Sequence, residues 1–204
     1  MLSETKINLA KAYDEDAHRR SQSTAAEWKV RERGAFAELL RQEGKTAVLE
    51  IGAGTGRDSR FFKDCGYEVT STDLSQEMVR YCREQGLNAM VMDFYNLEFA
   101  DESFEAVYAL NCLLHVPKNE LGGVLLEIRR VLKRGGIFYM GVYGGRKSEE
   151  IWDDDWCEPK RLFSFYTDDA IQAAVKEYFD VEDFHAVPLE AGKPHFQSLI
   201  ARKR

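Results

Sequence analysis

An α/β fold in three layers is predicted: a seven-stranded, mostly parallel sheet with helices on both faces and an antiparallel hairpin closing its C-terminal edge. Three observations predict it. Short apolar runs alternate with amphipathic stretches through five successive units, the pattern that builds parallel strands joined by right-handed crossovers. The first run ends in Gly52-Ala53-Gly54-Thr55-Gly56, a turn that carries a strand into a helix. The last two runs, 181–187 and 196–201, are joined by 188–195, too short for a crossover helix, so they pair antiparallel.

Each element has its own signal. Residues 24–42 place Trp28, Val30, Phe36, Leu39 and Leu40 among charges at helical spacing, with Gly44 as a stop. Val48 to Ile51 is the first strand. Residues 58–65 read as a helix that turns Phe61 and Phe62 inward and stops at Gly66, and 67–72 as the second strand. Ser75 caps a helix to Glu84, and Gly86 ends it before the third strand, 89–92. Residues 104–110 read as a strand buried on both sheet faces. Residues 120–133 return to helical spacing, Gly135-Gly136 closes that helix, and 137–143 is the fifth strand. Thr167 caps a last helix through Tyr178.

The chain has 204 residues, 44% of them hydrophobic, enough for one cored domain. Within it, 1–44 is an N-terminal helical segment and 45–204 the sheet-bearing body. A net charge of −7 disfavours a surface built to hold nucleic acid phosphates. The local basic stretches, His18-Arg19-Arg20 and Lys29 to Arg33, read as solvated helix faces. Cys65, Cys82, Cys112 and Cys157 lie far apart without metal-ligand spacing, so reduced thiols and no metal are expected. No apolar run approaches about 18 residues and the N-terminus shows no signal region, so a cytoplasmic protein without a membrane partner is expected. Oligomeric state is not legible.

The glycine turn narrows the chemistry, because glycine backbone comes close to a ligand and the following helix offers unpaired N–H groups. A dinucleotide fingerprint needs a glycine at 57, where Arg57 stands, which disfavours a nicotinamide oxidoreductase. Glu50, Gly52, Gly54 and Gly56 instead make E-x-G-x-G-x-G, which resembles the first motif of the class I, Rossmann-like methyltransferases that use S-adenosylmethionine. From residue 45 onward the order of elements is similar to that family's sheet. The resemblance implies S-adenosylmethionine as cofactor, methyl transfer to a small-molecule acceptor, and 1–44 as a lid over a cofactor-binding domain at 45–204.

In an open parallel sheet the ligand lies beyond the carboxyl ends of the strands. Gly52, Ala53, Gly54 and Gly56 follow the first strand, and the resemblance puts Glu50 near the aminoacyl end. Asp73 ends the second strand, where a carboxylate can accept both ribose hydroxyl protons. Leu74 and Met78 then stand beside the adenine. Asp93 and Phe94 end the third strand and resemble the family's adenine-reading pair. After the fourth strand, Asn111 matches a residue lining the methionine pocket, and His115 is a candidate base or substrate orienter.

Methyl transfer needs little covalent help, so orientation can supply much of the rate. Substrate identity is sought in Tyr13 and Trp28 of the lid, Tyr143 leaving the fifth strand, and an aromatic stretch at 151–166 that carries Trp152 and Trp156. That stretch can cover a small organic molecule or attract a cation. Arg19, Arg20 and Arg31 are candidates to meet a carboxylate. The signature Asn-Pro-Pro-Tyr is absent after the fourth strand, which disfavours nucleic acid bases and protein glutamine as acceptors. The rival readings are an RNA or protein methyltransferase using the basic N-terminal helix, and a protein that binds the cofactor without turnover.

Overall fold

The sheet is assembled from strands that alternate in the face they bury. The computed structural model describes residues 3–153, 155–189 and 194–204. The strands are β1 (Ala47–Ile51), β2 (Glu68–Asp73), β3 (Asn88–Val91), β4 (Phe104–Leu110), β5 (Leu132–Gly144), β6 (Ser148–Ile151), β7 (Leu162–Phe165), β8 (Asp180–Val187) and β9 (His195–Arg202). The helices are α1 (Glu4–Gln22), α2 (Glu27–Gln42), α3 (Arg57–Asp64), α4 (Gln76–Glu84), α5 (Leu121–Val131) and α6 (Asp168–Lys176), with one 3-10 turn at Leu113–His115.

Seven strands lie in the order β3-β2-β1-β4-β5-β9-β8. The first five are parallel, and β9 runs antiparallel to both β5 and β8. Period-two burial explains the layers. Leu49, Val107 and Phe138 face one way, onto Leu125, Ile128 and Val131 of α5 and Val175 of α6. Val48, Ala106 and Ile137 face the other, with Tyr108 and Tyr139, onto Phe36 and Leu40 of α2 and Phe62 of α3. On that second face the Tyr108 and Tyr139 rings stack at 4.7 Å.

The three-layer fold, the antiparallel edge hairpin and the caps at Ser75 and Thr167 agree with the sequence reading. Part of the connection expected at 188–195 lies outside the described residues. Three differences have physical reasons. The helix read as 120–133 stops at Val131, because Leu132 already pairs with Phe104 in the sheet; Gly135 and Gly136 then turn an irregularity inside β5 rather than closing the helix. The stretch 151–166, read as a loop, contributes to a small separate sheet, β6 paired antiparallel with β7. Residues 1–44 divide in two: α2 buries Phe36, Ala37 and Leu40 in the core, and α1 lies across α4 at the carboxyl ends of the strands.

Candidate active site

Strand order reverses between β1 and β4, which leave in opposite directions through Gly52 and Asn111, and a cavity opens where they part. Gly52 has φ 64°, and a Cβ there would collide with Cys112 Cβ, so the chain passes tightly against the turn after β4. Gly54 has φ 56°, and a Cβ there would meet nothing within 4 Å; its open side faces the cavity. Gly56 caps α3 against Cys82 and Leu87 and does not line the space.

Asp73 holds this turn in place. Its two oxygens accept the Gly54 N–H at 2.8 Å and the Ser75 N–H at 2.9 Å. Burial raises its pKa while the two N–H donors oppose the shift. Glu50 is buried on the same side. It accepts the Ser59 hydroxyl proton, and Ser59 accepts from Ser71 at 2.6 Å. Burial, with Asp58 and Asp73 adding negative charge, pushes the Glu50 carboxyl well above the usual range and favours its neutral form. Ala53, Leu74, Met78 and Phe94 line the cavity, and so does Asn111, which holds φ 56° and leaves its buried Oδ1 without a hydrogen-bond partner. Asp93 stands apart from this lining: it binds Lys6 of α1 at 2.7 Å, and the same ammonium lies 3.2 Å from the Tyr95 ring centre.

Helix α1 therefore covers the strand ends. Asp14 of α1 accepts the Ser75 hydroxyl proton at 2.6 Å and the Glu77 N–H at 3.0 Å, so α1 caps α4. Arg57, standing where a dinucleotide fold has glycine, donates to Ser23 O at 2.5 Å and fastens the link between α1 and α2 onto α3.

A second cavity, of about 730 Å³, adjoins the first. The two share Tyr13, Arg20, Lys29, Asn111 and His115. Trp28, Tyr143, Trp152 and Trp156 line the second one, as the sequence suggested, with Trp156 at its exposed rim. The β6–β7 sheet stacks Phe163 on Trp152 at 4.8 Å. Its attraction for cations is met from within, since Arg146 lies over Phe165 and Arg161 over Phe163.

At the junction a buried network fixes the protons. His115 Nδ1 lies 2.7 Å from the Leu162 carbonyl, so it carries the hydrogen and donates. Its Nε2 then accepts from the Tyr13 hydroxyl at 2.8 Å, and Tyr13 accepts from Arg161 Nη1 at 3.1 Å. Arg161 forks onto Asp155 at 2.8 and 2.7 Å, both side chains almost fully buried. Burial, reinforced by the charges of Arg161 and Arg20 and opposed by the Leu162 carbonyl, takes the His115 pKa down to about 3. Both ring nitrogens of His115 are thus engaged, one by the Leu162 carbonyl and one by the Tyr13 hydroxyl. Arg161 and Asp155 were missed because six residues apart in a polar stretch they look like solvated charges; Lys29 was absorbed into a basic helix face. Neither carries a sequence signal of its depth. Of the arginine candidates, Arg20 reaches the junction, while Arg19 binds Asp16 and Arg31 stands near Glu27. Among the described residues no group of three His, Cys, Asp or Glu side chains is placed to hold a metal.

A family model described as a methyltransferase domain matches residues 49–140. A sterol 24-C-methyltransferase of Gibberella zeae is 39% identical over 124 residues, 56% of this chain and 31% of that protein. One from Debaryomyces hansenii is 32% identical over 138 residues, 63% of this chain and 36% of that protein. The chain thus matches about a third of the length of these relatives. Among solved structures, the PH0226 protein of Pyrococcus horikoshii is 25% identical with a TM-score of 0.70, over 89% of this chain and 93% of that one. The 1,6-didemethyltoxoflavin-N1-methyltransferase of Burkholderia thailandensis, with bound 1,6-didemethyltoxoflavin and S-adenosylhomocysteine, is 22% identical with a TM-score of 0.76, over 100% and 92%. The fold is that of class I methyltransferases. Residues 49–140, somewhat under half of the chain, match the methyltransferase-domain model.

Proposed function

We propose that the protein transfers the methyl group of S-adenosylmethionine to a small-molecule acceptor and releases S-adenosylhomocysteine. The observation that supports it is the meeting of two cavities, one built on the glycine turn and one walled by aromatic rings, at Tyr13, Lys29, Asn111 and His115. The first cavity fits the cofactor: Gly54 presents open space, and the partnerless Oδ1 of Asn111 suits an ammonium donor. Asp73 has acceptor capacity left for ribose hydroxyls, Leu74, Met78 and Phe94 offer an apolar seat for adenine, and Glu50 stands at the aminoacyl end. Asp93 serves the adenine amine once Lys6 yields it. When bound, the cofactor supplies an electrophilic methyl group on sulfur.

The chain's own residues bind, orient and exclude water. Tyr13 and His115 hold a fixed hydrogen-bond direction at the junction, and α1 covers it. The basic helix residues favour no nucleic acid: Arg33 binds Asp58 at 2.8 Å and Lys29 lines the cavities. The four cysteines are free thiols, which suits a reducing compartment such as the cytoplasm. Calorimetric titration with S-adenosylmethionine, S-adenosylhomocysteine and NAD tests the reading. Micromolar binding of the first two and none of the third is expected; no binding by folded protein refutes it.

A further inference from the structure

Among the described residues the second cavity has a charge imbalance. Three cations of the described residues line it, Arg20, Lys29 and Arg161, against one carboxylate, Asp155. Two of the cations have a carboxylate partner. Arg161 is forked onto Asp155, and Arg20 shares Asp16 with Arg19, binding it at 2.8 Å. Lys29 is different: among the described residues no carboxylate lies within 4.0 Å of its ammonium and no hydrogen bond receives it. Instead it stands 5.3 Å from the Trp28 ring and 5.9 Å from that of Tyr143. Asp58, the acid whose charge it feels most, is bound to Arg33. Burial accordingly holds the Lys29 pKa below the usual lysine value.

Lys29 is partly buried, and an ammonium drawn partly out of water beside no anion carries a cost that an anionic ligand would offset. Lys29 sits where the aromatic cavity meets the glycine-turn cavity. The walls beside it are aromatic: Trp28 packs tilted on Phe196 at 4.4 Å and edge-on to Tyr143 at 6.3 Å, with Trp152 and Phe163 stacked farther along. Aromatic faces and edges accept an aromatic ring, and the unmatched cation accepts an anionic group on it. A neutral hydrocarbon acceptor such as a sterol would seal Lys29 against apolar surface with its charge uncompensated.

We propose that the acceptor is a planar aromatic molecule bearing a negative charge, a carboxylate or an ionised ring oxygen, and that Lys29 is the residue that selects it. This rests on the methyltransferase reading above. It also agrees with His115, whose ring nitrogens are both engaged, because an acceptor methylated at its anionic oxygen has already given up its proton and only the sulfonium sulfur has to leave, as the thioether.

The test is competitive titration of the protein saturated with S-adenosylhomocysteine, using 2-naphthoate and the uncharged, near-isosteric 2-naphthamide as probes. The naphthoate is expected to bind roughly tenfold or more tightly than the amide, the effect of one charge-assisted contact. Lys29→Met should abolish that preference, and Lys29→Arg should keep it. Equal binding of the two probes to the unaltered protein overturns the proposal while leaving the methyltransferase reading intact. So does a Lys29→Met variant that loses S-adenosylhomocysteine and keeps the preference, for Lys29 would then serve the cofactor carboxylate. Failure to bind S-adenosylhomocysteine at all overturns both.

Discussion

Alanine at Gly54 and at Gly52 separates ligand binding from folding within a single turn. Gly54 has φ 56° and an unobstructed Cβ direction, so Gly54→Ala meets only the left-handed backbone cost, about 1–2 kcal/mol. Roughly 0.4–1 kcal/mol of that is offset by stiffening the unfolded chain. The net loss is about 1 kcal/mol, which lowers Tm by about 2–4 °C for a chain of this length. Gly52 shares the positive φ, and its new methyl would overlap Cys112, adding about 1–3 kcal/mol of overpacking. Gly52→Ala should therefore melt lower than Gly54→Ala. Binding shows where the open side of the turn leads. The methyl introduced by Gly54→Ala enters the space proposed for the ligand, and S-adenosylhomocysteine affinity should fall at least roughly tenfold, about 1.4 kcal/mol. Scanning calorimetry without ligand gives the two Tm values, and titration gives the Kd. Wild-type affinity in Gly54→Ala would refute the placement of the ligand, and a lower Tm for Gly54→Ala than for Gly52→Ala would refute the packing argument.

Asp73→Ala should weaken S-adenosylmethionine binding by about 1.5–3 kcal/mol, the range for a lost charged acceptor; an unchanged Kd in calorimetry removes the ribose assignment. Arg161→Met strands the Asp155 carboxylate inside the protein and should cost about 3–5 kcal/mol in urea unfolding, with much of it recovered in the double variant Asp155→Leu/Arg161→Met. A single variant as stable as wild type contradicts the buried pair. Half-exposed His185 bridges α2 and β8 through Glu32 at 3.0 Å and Asp183 at 2.9 Å. Burial lowers its pKa, but the two carboxylate contacts more than reverse this, so the folded value lies above the ordinary 6.5. Its stabilising contribution is then complete below the unfolded pKa and is lost as pH rises through the folded one. The urea midpoint difference between wild type and His185→Gln should shrink from pH 6 toward alkaline pH; a pH-independent difference dismisses the linkage.

What the sequence made legible is what repeats or what only one residue type can do. The sheet strands showed because both faces are buried, so Val48 to Ile51 and 104–110 read as apolar runs whatever packs on them. The glycine turn showed because positive φ restricts the choice of residue. The β6–β7 pair did not, since Ser148, Glu149 and Glu150 carry no strand periodicity and pairing with Leu162–Phe165 alone defines them. Asp155 and Arg161 were illegible for a related reason: burial of a charge depends on a partner and on a cover, and the cover is α1, more than a hundred residues away. Lys29 likewise shows as a cavity-lining cation only once α2 is docked on the sheet.

The contacts that finish the site span the chain: Tyr13 to Arg161 is 148 residues in sequence, Tyr13 to His115 is 102, and Lys6 to Asp93 is 87. Loop closure disfavours such contacts until the intervening chain has been shortened by folding. The glycine turn and Asp73, only 19 residues apart, need none of that and can set early with β1 and β2. The glycine-turn cavity is thus a local product of the sheet, and the junction with the aromatic cavity is assembled last, when α1 and the segment around Arg161 are brought over the same strand edge. A growing chain would complete its aromatic cavity only after residues beyond 161 had joined the fold.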